Sequence, residues 1–183
     1  MKNLIFTLAL LSAPLAMLGQ GFGVGIKAGA NFCNLSTDNF STDGITTYHV
    51  GAYANINFSE KWGITPEVLW SAQGAELDDL DFETDYVLIP IMLRWRMIDL
   101  ISLEAGPQFN ILTKAEFDGD DVKDDLKSST YSLAFGCVVH LSLGFNGGLR
   151  YIIGMSDLSD VDNLELKDRT FQIYIGWTIL GAK

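Results

Sequence analysis

Basic side chains are scarce in this 183-residue chain: 12 Lys and Arg stand against 23 Asp and Glu, a formal charge of −11. A surface of that sign repels phosphate backbones, which excludes nucleic acid as a partner. Histidine is limited to His49 and His140, and cysteine to Cys33 and Cys137. Neither cysteine has metal-ligand spacing with a histidine, so both are read as structural and no metal or cofactor is expected. Long apolar runs are missing once the first twenty residues are passed. No later segment approaches the roughly 18 apolar residues that a membrane helix needs, which excludes a helical membrane protein.

The opening residues are of a different kind. Met1-Lys2-Asn3 gives a short basic start, Leu4 to Leu18 is apolar, and Gly19-Gln20-Gly21 is small and polar. That order predicts a secretory signal peptide over residues 1–20, cleaved near Gly19 or Gln20. Residues 21–183 then form one domain.

What that domain has in abundance is alternation. In Trp62-Gly63-Ile64-Thr65-Pro66-Glu67-Val68-Leu69-Trp70-Ser71-Ala72-Gln73, even positions are bulky and apolar, and odd positions are mostly small or polar. A period of two marks a strand with one apolar face. The same rule predicts eight strands: 22–32, 47–58, 62–73, 85–97, 101–113, 130–141, 148–155 and 170–179. A dozen residues suits a tilted strand crossing a hydrocarbon layer. Tight connections at Ser59-Glu60-Lys61, Ile98-Asp99-Leu100 and 142–147 alternate with long polar ones at 33–46, 74–84, 114–129 and 156–169. All but four of the acidic residues (Glu60, Glu67, Asp99 and Glu104) fall in the long connections or, for Asp85, at their rim. The strand interiors are therefore nearly free of carboxylates, as a dry middle requires.

Volume decides which face looks outward. One face carries Ile26, Phe32, Val50, Ile89, Ile91, Leu93, Trp95, Ile173, Ile175, Trp177 and their like. The bore of an eight-stranded barrel is only just wide enough to be filled by side chains and could not hold them all. The other face is rich in Gly25, Gly29, Gly51, Gly106, Gly136 and Gly176. Bulk must face outward, and it must meet something other than water. All four tryptophans lie on that outer face, with Tyr48, Phe58, Phe109, Tyr131 and Phe171 towards strand ends as an interfacial girdle. Parity sends Cys33 inward and Cys137 outward, so no disulfide is expected between them. The predicted fold is an all-β, eight-stranded, antiparallel, up-and-down transmembrane β-barrel. Its short turns and both chain ends face the periplasm, and its four acidic loops face outside.

The few charges on the inner face should be paired, because a lone buried ion is costly. Lys27, Tyr53, Glu67, Arg94, Arg96, Glu104 and Arg150 are expected to form a polar plug in the lumen. Hairpin register sets Arg94 across from Glu104 and Tyr53 across from Glu67. A channel or ligand-binding lumen lined by Lys27, Glu67 and Arg150 is the alternative use of the same residues.

Four stretches carry a resemblance: Gly25-Ile-Lys-Ala-Gly-Ala-Asn31, Pro66-Glu67-Val-Leu-Trp-Ser-Ala-Gln-Gly74, Ile89-Pro90-Ile-Met-Leu-Arg94 and Glu104-Ala-Gly-Pro-Gln108. Together they resemble the PorT-like family of small outer-membrane β-barrels of Gram-negative bacteria. The resemblance implies an outer-membrane location and an up-and-down barrel, and its name suggests a part in secretion or envelope assembly. It implies no defined activity.

Catalytic and ligand motifs are not found. His49 and His140 face inward with no Ser or Asp tied to them by spacing, so they are read as hydrogen-bonded lumen groups. Gly21-Phe-Gly-Val-Gly25 lies inside a strand and leads into no helix, unlike a phosphate-binding loop. Asp118-Gly-Asp-Asp-Val-Lys-Asp-Asp125 offers carboxylates to Ca²⁺ but lacks EF-hand spacing and is read as a solvated loop. The expected function is non-enzymatic: a structural or interaction barrel in contact with outer-membrane lipid and, through its outer loops, with other envelope proteins. A narrow porin-like channel or small-ligand binder is the second reading, and a soluble lipocalin-like binder the third.

Overall fold

The computed structural model describes residues 21–37, 40–41, 45–77, 80–117, 120–121, 128–156 and 167–181. Eight long strands account for nearly all of them: β1 (Phe22–Thr37), β2 (Ile45–Asn57), β3 (Trp62–Leu77), β4 (Leu80–Arg96), β5 (Ile101–Phe117), β6 (Ser129–His140), β7 (Phe145–Gly154) and β8 (Lys167–Gly181). Each pairs antiparallel with its neighbours in the chain, and β8 pairs with β1 to close the cylinder. Two short segments, Phe40–Ser41 and Asp120–Asp121, add to the ends of β1 and β5. Closure leaves no long strand with an unpaired edge.

Side-chain exposure alternates as the sequence requires. Along β3, Gly63, Thr65, Glu67, Leu69 and Ser71 are buried while Trp62, Val68 and Trp70 are exposed. Ile175 and Val68 are each 57% exposed, and Leu93, Ile173 and Phe109 are nearly as open. This apolar belt surrounds the barrel, far more than a water-soluble surface carries. Aromatic pairs mark its two rims. Trp62–Trp95 (6.1 Å) and Phe145–Trp177 (5.7 Å) stack at the short-turn end. Tyr48–Trp70 (5.4 Å) and Phe32–Phe171 (6.2 Å) sit towards the long-connection end. Eight residues separate Trp62 from Trp70, or about 26 Å of strand and roughly 20 Å of membrane depth at the usual tilt. The outer face thus matches a hydrocarbon layer, and the lipocalin-like reading is excluded.

Three sequence expectations are corrected. Long strands run beyond the predicted ends, so that β3 and β4 stay paired to Leu77↔Leu80 and most of 74–84 is ribbon instead of loop. The strand expected from 148 begins at Phe145, after a tight turn at Ser142–Gly144. That turn holds Leu143 at φ 63° and Gly144 at φ 85°, and Trp177 Nε1 donates to the Leu143 carbonyl at 3.3 Å. Finally, the bore is not lined by small residues alone: Leu69, Tyr86, Leu88, Leu112 and Ala115 form a buried apolar cluster inside β3–β5. Four of the five are inward by plain alternation, and a bulge that leaves Thr113 unpaired opposite Asp85/Tyr86 adds the fifth. It shifts the parity of β5, turning Lys114 out and Ala115 in. Glycine supplies the remaining room. A Cβ at Gly148 would collide with the Tyr174 ring, and one at Gly51 with the β3 backbone at Val68 and Leu69.

Candidate functional site

Among the described residues, the alternating strands deliver an ionic cluster to the bore. Lys27 comes from β1, Glu67 from β3, Glu104 from β5 and Arg150 from β7, each at an inward position. Lys27 Nζ donates to Glu67 Oε1 at 2.7 Å. Arg150 donates to both Glu67 oxygens at 2.9 Å and, through Nε and Nη2, to Glu104 Oε1 at 3.0 and 2.7 Å. Tyr174 of β8 adds its hydroxyl to Glu104 Oε1 at 3.1 Å, and its ring lies 3.9 Å from Lys27 Nζ. The Arg150 and Glu67 side chains have no solvent exposure. Charges this deeply buried are tolerable only when each donor and acceptor is matched, and the fork of Arg150 achieves that by serving two carboxylates at once.

The seven residues expected in the plug all face the bore, but they divide into two groups. Lys27, Glu67, Glu104 and Arg150 join, whereas Tyr53, Arg94 and Arg96 do not enter the ion cluster. The cross-strand registers Arg94↔Glu104 and Tyr53↔Glu67 are present. Yet Glu104 turns to Arg150, and Arg94 instead donates to Asn55 Oδ1 (2.8 Å) and Asn57 Oδ1 (2.7 Å). Tyr53 meets Thr178 Oγ1 and Asn146 Nδ2 at 2.9 and 2.8 Å. Partners inside a barrel are chosen across the bore, where hairpin register has no say.

Beyond the ions, towards the long connections, lies a neutral layer that sequence reasoning missed. Asn31 is its hub: its Nδ2 donates to Ser71 Oγ at 2.9 Å, and its Oδ1 accepts from His49 Nδ1 (2.7 Å) and Gln172 Nε2 (2.9 Å). With Gln108, Asn110 and Ser132 this layer is visible in the sequence as amides at inward positions. His49 is 1% exposed and its Nε2 has no partner among the described residues. His140 contacts Ser102 Oγ at 2.8 Å. Cys137 is a free, partly exposed thiol on the outer face; the Cys33 side chain lies outside the described residues.

At the short-turn end the bore widens into a cavity of about 340 Å³. Lys27, Glu67, Glu104 and Tyr174 form its floor, and Arg94, Arg96, Asn57 and His140 line its wall. The closed apolar-belted cylinder matches the family model described as outer membrane protein beta-barrel domain over residues 12–160. The chain belongs to that family. It is an outer-membrane protein, crossing the bilayer by strands. The solved structure of Ail, the attachment invasion locus protein of Yersinia pestis, superposes with TM-score 0.55 at 19% identity, covering 86% of this chain and 97% of Ail. Neisserial surface protein A superposes with TM-score 0.53 at 12% identity, over 87% of this chain and 100% of that one. At such identities these neighbours speak for the fold alone. Among curated proteins none matches the chain.

Proposed function

We propose that this protein is a non-conducting structural and interaction barrel. In this reading an export signal over residues 1–20 directs the chain to the outer membrane. The acidic long connections then face outside, and the short turns face the periplasm. One observation carries it: Arg150 spans the bore between Glu67 and Glu104 with no side-chain exposure, where a pore would need water. The neutral Asn31 layer and the Leu69–Leu88 cluster fill the bore beyond it, so ions would have three barriers to cross. A porin-like channel would have to pass the buried contacts of Arg150 with Glu67 and Glu104, which weighs against that use of the bore.

With the lumen closed, partner contact falls to the loops and rims. A second structure of Ail holds the heparin analogue sucrose octasulfate. This chain's long connections are carboxylate-rich, so a polyanion is repelled, and a basic surface or a cation-bridged one is the fitting partner. A PorT-like part in secretion or envelope assembly agrees with that picture. The test is reconstitution in planar bilayers, followed by single-loop deletions with cross-linking in intact cells. Silent bilayers, and loss of cross-linked species on deleting one loop, are the expected results. Reproducible unitary conductance steps from the folded protein would overturn the reading.

A further inference from the structure

The cavity at the short-turn end has an imbalance of charge that the plug does not use. Among the described residues, the charged side chains facing the bore are Lys27, Arg94, Arg96 and Arg150 against Glu67 and Glu104. Both carboxylates are claimed by Lys27 and Arg150. Two cations are left over, in a protein whose formal charge is −11. Arg94 is 7% exposed and meets only the neutral acceptors of Asn55 and Asn57. Of its five N–H donors, those two bonds leave three uncommitted. Arg96, two residues along the same face of β4, has no ion pair or side-chain hydrogen bond among the described residues, and it lines the same cavity.

A buried guanidinium beside a second one is repulsive, and on the protein side only two amide oxygens and the nearby Glu104 charge, already shared with Arg150, work against that repulsion. The opening beside them holds about 340 Å³, within the size range of small-ligand pockets. Planar forks of this kind match carboxylate and phosphate oxygens with two parallel bonds. We infer that the short-turn mouth is a binding site for a small oxyanion, a phosphate or carboxylate group gripped by Arg94 and Arg96. Asn57 and His140 stand on the same wall as further polar contacts. Glu104 sits on the floor with Oε1 held by Arg150 and Tyr174, and it makes no direct ion pair with Arg94. The low-dielectric wall of the barrel strengthens the attraction.

The oxyanion could be free in solution or carried on a lipid headgroup. The experiment has an arm for each, with the full barrel folded in non-ionic detergent and in nanodiscs. Inorganic phosphate and succinate are titrated calorimetrically into the detergent sample. Nanodiscs of phosphatidylcholine are compared with nanodiscs containing phosphatidylglycerol, reading the ¹⁵N–¹H resonances of the arginine side chains. Wild type is expected to bind one of these saturably. Arg96→Gln should weaken binding at least tenfold, Arg96→Lys should fall between, and Lys61→Gln, at an exposed turn of the same rim, should leave it unchanged. Because the Arg96 side chain has no hydrogen-bond or ion-pair partner among the described residues, and its backbone bond to Lys61 is kept by any substitution, its variants are expected to keep the fold, checked by the heat-dependent gel shift of folded barrels. Saturable binding of phosphate or succinate identifies a soluble anion, and shifts confined to the anionic nanodiscs identify the headgroup. No saturable binding in either arm, or equal binding by wild type and Arg96→Gln, overturns the site. Neither result touches the conductance test above.

Discussion

At the scale of single residues, Arg150 is the side chain on which most depends. Removing its charge strands two buried carboxylates, a class of change that costs about 3–5 kcal/mol. Arg150→Met is expected to lower unfolding stability in urea by that order, measured by loss of the folded band on unheated gels. Adding Glu104→Gln should recover part of the loss, since Lys27 still holds Glu67. No recovery would mean that the cluster does not act as drawn. Leu143 offers the opposite experiment. Its φ of 63° is strained for a branched side chain, so Leu143→Gly is expected to raise stability by up to about 1 kcal/mol in the same assay. The inward positions of the plug residues were legible from parity, because period two admits no third choice. Their partners were not. Lys27 and Glu67 lie on β1 and β3, Arg150 and Glu104 on β7 and β5, and no cross-strand rule links strands that share no ladder.

At the scale of the strand, the outer face should show a depth-dependent cost for charge. Val68 lies between the two aromatic rims, with its side chain 57% exposed. Val68→Arg is expected to destabilise by about 2–4 kcal/mol, and Phe58→Arg, in a short turn, by about 0–1 kcal/mol. Equal penalties in vesicle-reconstituted protein would argue against a hydrocarbon layer at that height. Strand identity was readable wherever bulky and small residues alternate, as in Trp62–Gln73. It failed at Gly74–Leu77 and at Phe145–Gly147, where glycine and acidic residues resemble turn composition although ladder pairing continues. The bulge at Asp85/Tyr86 was equally hidden, since one extra residue leaves composition unchanged while reversing which side chains face the bore.

At the scale of the whole molecule, topology makes a directional prediction. With Cys33 and Cys137 replaced by serine, Val122→Cys should react with a membrane-impermeant maleimide on intact cells, and Glu60→Cys should not. The reverse pattern would invert the barrel in the membrane. The seam between β1 and β8 has a consequence of its own. Its ladder runs from Gly23↔Gly181 to Ser36↔Lys167, joining the first strand to be synthesised with the last. Until residue 181 has arrived, Phe22–Thr37 offers its unsatisfied amides and carbonyls to whatever β-edge is near. A half-made cylinder leaves those groups unsatisfied in hydrocarbon, so the chain becomes fit for the bilayer only when this one seam shuts.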